Sequence, residues 1–181
     1  MTMPTNIVNY APGTTFVNSV YLDANLLVSA WDRRSQRYNS ATLLLGDLFS
    51  NGVNLFITNL VIDEYIWALL RAYYRRDNNN NILYSHTIKA NPQILLQYHW
   101  RISSGVRKIL NFRRLTVASN LAPSKEIVVK AINLMRTQLL SPRDAFHLAF
   151  IMKLNINGIV TSDGDFDNLN IRRKHLTIYK Y

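Results

Sequence analysis

The feature that most constrains this chain is a set of short apolar runs rich in β-branched and aromatic residues. Val20-Tyr21-Leu22, Leu55-Phe56-Ile57, Leu115-Thr116-Val117-Ala118, Gly158-Ile159-Val160-Thr161 and Leu176-Thr177-Ile178-Tyr179 are separated by longer stretches with helical spacing. Apolar runs of this length suit strands buried on both faces, as parallel sheets require. Asn25 to Trp31 continues the first run as a helix. Ala41, Leu44, Leu45, Leu48 and Phe49 mark a second helix, which Asn51-Gly52 ends. Val61, Ile62, Tyr65, Ala68, Leu69, Ala72 and Tyr73 mark a third, capped by Thr58 or Asn59 and stopped by the Asn-rich tract after Asp77. Ile82 to Arg114 reads as mostly helical, with a segment opening at Pro92, and Pro123-Ser124 and Ser141-Pro142 begin two more helices. Strands alternating with helices predict an α/β/α sandwich around a mainly parallel sheet.

The chain has 181 residues, 48% of them apolar, enough for one domain with its own core. No cysteine is present, so disulfides, thiolate zinc sites and cysteine nucleophiles are excluded. Residues 1–19 contain no Lys or Arg and no continuous apolar segment, and Pro4, Pro12 and Gly13 predict a flexible extension rather than a signal. The domain is then expected over 20–181, with 77–120 as a longer, mostly helical middle segment. No run approaches the ~18 apolar residues of a membrane span, so a soluble, cytoplasmic protein is expected. Twenty-one basic residues against eleven acidic ones give a formal charge of +10, which favours polyanionic partners.

In so basic a chain the placement of the acids carries information. Asp23 and Asp163 each follow a buried strand at its carboxyl end, where open parallel sheets place ligand sites. Asp also caps whatever follows a strand, so either residue alone is ambiguous. Glu64 lies within a helix beside Leu60, Val61 and Ala68, and needs a cation, a metal or donors if it is buried; Arg71 and Lys108 are candidate partners. Asp144 fits a capping box with Ser141 at the start of a densely apolar helix, and His147, one turn on, reads as a core or capping histidine. The tract Asp163-Gly164-Asp165-Phe166-Asp167 fails as a calcium loop, because Asn168 and Lys174 stand where a Gly and a closing Glu belong. Phe166 is expected to tuck in as an anchor. Four acids at element ends or apolar faces suit one or two hard divalent cations, Mg²⁺ or Mn²⁺, acting on a phosphodiester.

Taken together, Val20-Tyr21-Leu22-Asp23-Ala24-Asn25, Glu64, Ser141-Pro142-Arg143-Asp144-Ala145-Phe146-His147-Leu148-Ala149 and Ile159-Val160-Thr161-Ser162-Asp163-Gly164-Asp165-Phe166 resemble the motifs of PIN domains in order and spacing. The resemblance spans about Val20 to Tyr181 and is weak between Asp77 and Asn120. It implies Asp23, Glu64, Asp144 and Asp163 as a catalytic quartet, with Asp23 and Asp144 on metal, Glu64 and Asp163 on a second ion or the nucleophile, and Asp167 favoured over Asp165 as a fifth ligand. Asn25 and Thr161 would support them. Similarity to the VapC toxins within that family implies a metal-dependent endoribonuclease acting on structured RNA, a homodimer and a cognate antitoxin. Arg71, Arg75, Arg76, Arg113, Arg114 and Arg143 are the expected phosphate contacts, with Arg101, Arg107, Lys108 and Arg172-Arg173-Lys174 as further candidates. Tyr73, Tyr74, Tyr98 and Trp100 stack either on bases or in the core. The alternatives are a catalytically silent RNA-binding or interaction module and a housekeeping RNA-processing nuclease. A haloacid-dehalogenase-type phosphatase ranks low, because it wants an Asp where Asn25 stands.

Overall fold

The computed structural model of the protein describes residues 3–118, 125–171 and 175–181. In chain order its elements are β1 (Met3–Pro4), β2 (Asn6–Asn9), β3 (Ser19–Leu22), α1 (Ala24–Trp31), α2 (Tyr38–Ser50), β4 (Asn54–Ile57), α3 (Asn59–Asp77), α4 (Ser85–Ala90), α5 (Gln93–Leu110), β5 (Leu115–Val117), α6 (Lys125–Gln138), α7 (Pro142–Lys153), β6 (Gly158–Val160), a 3₁₀ turn (Gly164–Phe166), β7 (Asn170–Ile171) and β8 (Thr177–Lys180). The expected helix start at Pro123-Ser124 and the Arg172-Arg173-Lys174 cluster lie outside the described residues.

Six strands form one sheet in the order β2-β8-β6-β3-β4-β5, and every ladder within it is parallel. From β3 the chain builds outward through β4 and β5, then returns to the other flank of β3 with β6. The direction of winding therefore reverses between β3 and β6, and such a switch point opens a crevice at the carboxyl ends of the strands. Helices flank the sheet, giving the α/β/α arrangement that the spacing predicts.

Val20, Tyr21, Leu22, Leu55, Ile57, Ile159 and Val160 are almost fully buried, and Leu26, Leu44, Leu48 and Leu148 close over them from the helices. Each such side chain contributes about 1.5–3 kcal/mol of transfer free energy, which makes the central strands a firm base for whatever projects from their ends. A smaller cluster of Leu70, Leu83, Ile94 and Tyr98 joins α3 to the middle segment.

The N-terminal segment departs from the expected flexible extension. Asn6 to Asn9 pairs in parallel with Thr177 to Lys180, and Met3–Pro4 pairs antiparallel with Asn170–Ile171. Only one of four β2 residues is even half-buried, so the strand carries no apolar signature; backbone pairing to an open sheet edge places it. Val17 is held by a bond from its N–H to the Tyr179 hydroxyl, 2.9 Å. It also presses on Gly158, where a Cβ would come within 2.8 Å of Val17 Cγ2 and 3.1 Å of the Tyr179 ring.

Candidate metal and nucleic-acid site

Asp23 is the first residue past β3 and is only 8% exposed. Its Oδ2 accepts a bond from Thr161 Oγ1 at 2.6 Å and a longer one from Asn25 Nδ2 at 3.3 Å. Thr161 follows β6 directly, so the two strands at the switch point are tied across their ends through one carboxylate. Thr161 Oγ1 also accepts the Asp163 N–H at 3.0 Å, which fixes the turn that carries Asp163. Burial raises the Asp23 pKa above the usual aspartate range, with the Thr161 bond working against it.

Glu64 projects from the second turn of α3 and meets neither Arg71 nor Lys108. Its Oε2 lies 3.2 Å from His147 Nε2 and its Oε1 3.5 Å from Arg143. His147 is 4% exposed, and its Nδ1 sits 2.8 Å from the Tyr21 hydroxyl, which in turn sits 2.8 Å from Thr58 Oγ1. With Nε2–H donating to Glu64, Nδ1 accepts from Tyr21 and Tyr21 accepts from Thr58, so all four side chains join in one directed chain. Thr58 occupies the N-cap position of α3 without capping it by its side chain; the hydroxyl is spent on Tyr21 instead.

Asp144 stands in the first turn of α7, where Ser141 caps the helix and also hydrogen-bonds the Asp144 carboxylate. The capping box is therefore real, and it aims the remaining carboxylate oxygen toward the β6 turn. There Asp144, Asp163 and Asp165 each offer an oxygen, all within 4.8 Å of one another. Burial raises the Asp144 pKa, the Ser141 bond opposes this, and the charges of Asp163 and Asp165 raise it further. Such a set of hard oxygen donors fits Mg²⁺ or Mn²⁺, whose charge would relieve the mutual repulsion.

Asp165, not Asp167, completes this group. Asp167 Oδ1 lies 2.5 Å from Lys180 Nζ. In the turn between them Asp163 Oδ1 caps the Asp165 N–H at 3.1 Å and Phe166 is buried as expected, so Asp165 stays with the cluster while Asp167 pairs with Lys180.

Asp23, Asn25, Glu64, Arg143, Asp144, His147 and Asp163 line one cleft of about 430 Å³, whose other wall is Val28, Trp67, Ala68, Arg71, Ala72 and Arg75. The expected cations thus divide. Arg71, Arg75 and Arg143 border the acids. Arg76 and Arg101 are tied to Asp77, at 2.9 and 2.8 Å, and both guanidinium groups lie over Tyr73. Lys108 lies over the Trp31 ring. Arg113 and Arg114 precede β5, and Arg114 bonds the Gly52 carbonyl before β4, which puts both at the amino ends of the strands, across the sheet from the cleft. Tyr73, Tyr74 and Tyr98 pack on one another, whereas Trp100 is 73% exposed on the outer face of α5. His147, Tyr21, Thr58 and Trp67 are site residues that sequence reasoning missed; the one signal available was His147 one turn beyond Asp144.

A parallel sheet between helices, with an acidic cleft at its switch point, defines the class of protein, and the sequence agrees. The chain matches the PIN domain family model over residues 20–171 and belongs to that family. Among solved structures it is similar in fold to the Mycobacterium tuberculosis toxin VapC20, described as cleaving the Sarcin-Ricin loop. The TM-score is 0.52 at 14% identity, over 84% of this chain and 98% of that one. No curated protein is similar enough in sequence to count as a relative. Among the described residues no helix is long and apolar enough to cross a membrane.

Proposed function

We propose that this protein is a divalent-metal-dependent endoribonuclease that hydrolyses phosphodiester bonds of structured RNA, and that it serves as the toxin of a toxin–antitoxin pair in the cytoplasm. The observation that carries the reading is the convergence of Asp144 and Asp163 with Asp165 at the edge of a cleft that Asp23, Glu64 and three arginines also line. The first three would hold Mg²⁺ or Mn²⁺, with Asp23 next to them, and a bound cation supplies activation of water and charge stabilisation at the phosphate. Glu64, held by His147 and Arg143, orients the attacking water from the opposite wall. Arg71, Arg75 and Arg143 bind phosphates; their role is sequence-independent and depends on salt. Likeness in fold to a toxin described as cleaving the Sarcin-Ricin loop supports the substrate class; a protein antitoxin covering the cleft and a homodimer belong to the same proposal.

The test is cleavage of a structured cellular RNA pool with Mg²⁺ or Mn²⁺, beside an EDTA control and Asp144→Asn. Cutting that requires metal and falls on the order of a thousandfold in the variant is expected. A folded native protein that binds RNA without cutting it would leave a silent RNA-binding module.

A further inference from the structure

We infer that the α3 wall of the cleft, beyond Glu64, is a nucleobase subsite, in which the Arg71 guanidinium stacked on Trp67 forms a platform for one unpaired base next to the bond to be cut. The inference rests on the nuclease reading for its geometry and extends it to how the substrate is held. Three observations carry it.

The first is the platform. The Arg71 guanidinium lies over the indole of Trp67 at 4.9 Å from the ring centroid, and both residues line the cleft. Trp67 is partly buried and is backed by the cluster of Leu70, Leu83, Ile94 and Tyr98, so the ring is held in place. A fixed indole pins a guanidinium plane, and nucleobases stack on aromatic and guanidinium planes alike.

The second is the free charge. Among the described residues neither Arg71 nor Arg75 has a carboxylate partner, whereas Arg76 and Arg101 on the same helix pair share Asp77. Cations left unpaired along a cleft suit a phosphate backbone.

The third is spacing. Glu64, Trp67 and Ala68, Arg71 and Ala72, and Arg75 recur every three or four residues, so they form one stripe of α3. At 1.5 Å of rise per residue Arg71 stands about 10 Å from Glu64 and Arg75 about 6 Å further on. Ala68, Ala72 and Val28 leave the space between them open and apolar. A strand running along this stripe places a phosphate at the acids, a base on the platform and a following phosphate at Arg75. A paired base, its faces covered by its neighbours, cannot use the platform, so the segment cut is single-stranded: a loop or bulge of a structured RNA.

The experiment measures binding of two labelled strands by fluorescence anisotropy in EDTA, where no metal-dependent cutting occurs: an oligoadenylate dodecamer, and a stable abasic strand of the same length. Native protein is expected to bind the base-bearing strand at least about fivefold more tightly, the lower end of what stacking one base contributes. Trp67→Ala and Arg71→Ala should each reduce that preference below about twofold. Trp67→Phe should keep it, and Arg75→Ala should weaken both strands alike. Trp67→Ala should leave affinity for the abasic strand unchanged, which a merely structural loss would not. Equal affinity of native protein for the two strands overturns the subsite, as does binding of neither, which would leave this wall to a protein partner. A protein that cuts RNA without preferring the base-bearing strand keeps the nuclease reading and loses the subsite. One that shows the preference but cuts nothing does the reverse.

Discussion

The two halves of the acidic cleft solve the same electrostatic problem differently. On one side Asp23 and Glu64 are supplied with donors by the protein itself: Thr161 and Asn25 for the first, His147 and Arg143 for the second. On the other side Asp144, Asp163 and Asp165 face one another across less than 5 Å, with little beyond Ser141 and a backbone N–H to offset them. The first half is set by the protein alone; the second, on the proposed reading, is completed by a cation. A preorganised carboxylate beside an ion-hungry one is a sensible division, because the group that positions a nucleophile should not move when metal binds.

Substitutions can break that contrast. The largest effect within it is expected from His147→Ala, which removes the only buried donor to Glu64 among the described residues and breaks the bond to Tyr21. Activity should fall about 10–100-fold, while Mg²⁺ affinity at the other half, read by calorimetry, stays within about threefold. A matching loss of Mg²⁺ affinity would show that the halves are one unit.

Exchanging the two acids after Asp163 sharpens the comparison. Asp165→Asn should weaken Mg²⁺ or Mn²⁺ binding about tenfold, and Asp167→Asn, which frees only Lys180, should leave it unchanged within error. The reverse result would restore Asp167 as the ligand.

The smallest effect is one of stability. Burial raises the Asp23 pKa, so the folded, metal-free protein holds that proton more tightly than the unfolded chain does. The resulting stabilisation is full below the ordinary aspartate pKa of about 4 and is lost as pH rises through the folded value. Asp23→Asn should therefore raise Tm at pH 7.5 by a few degrees, on the order of 1 kcal/mol, and by less at pH 5. An equal gain at both pH values would mean that burial of the charge is not what the substitution relieves.

Much of this is legible in the sequence. Apolar runs over Val20 to Leu22, Leu55 to Ile57 and Gly158 to Val160 became the central parallel strands, because burial on both faces leaves a local signature. The acids at their ends stood out because few acids exist in the chain. The edge strand Asn6–Asn9 was missed, since its pairing uses backbone atoms that every residue has. Arg113 and Arg114 are expected as phosphate contacts on charge alone, yet they precede the Leu115 strand and so stand at the amino edge of a parallel sheet.

By itself, then, the sequence determined the layers and the parallel sheet, which follow from local periodicity, and it singled out Asp23, Glu64, Asp144 and Asp163 as candidates through the polar residues that interrupt that periodicity and through their resemblance to PIN-domain motifs. Only the tertiary structure decided their surroundings. Tyr21 and His147 are 126 positions apart, and Glu64 and His147 83 apart, yet each pair is in hydrogen-bond contact. The choice of Asp165 over Asp167 hung on the direction of one 3₁₀ turn. Contacts of that kind are made by side-chain direction and packing between distant elements, which no spacing along a chain encodes.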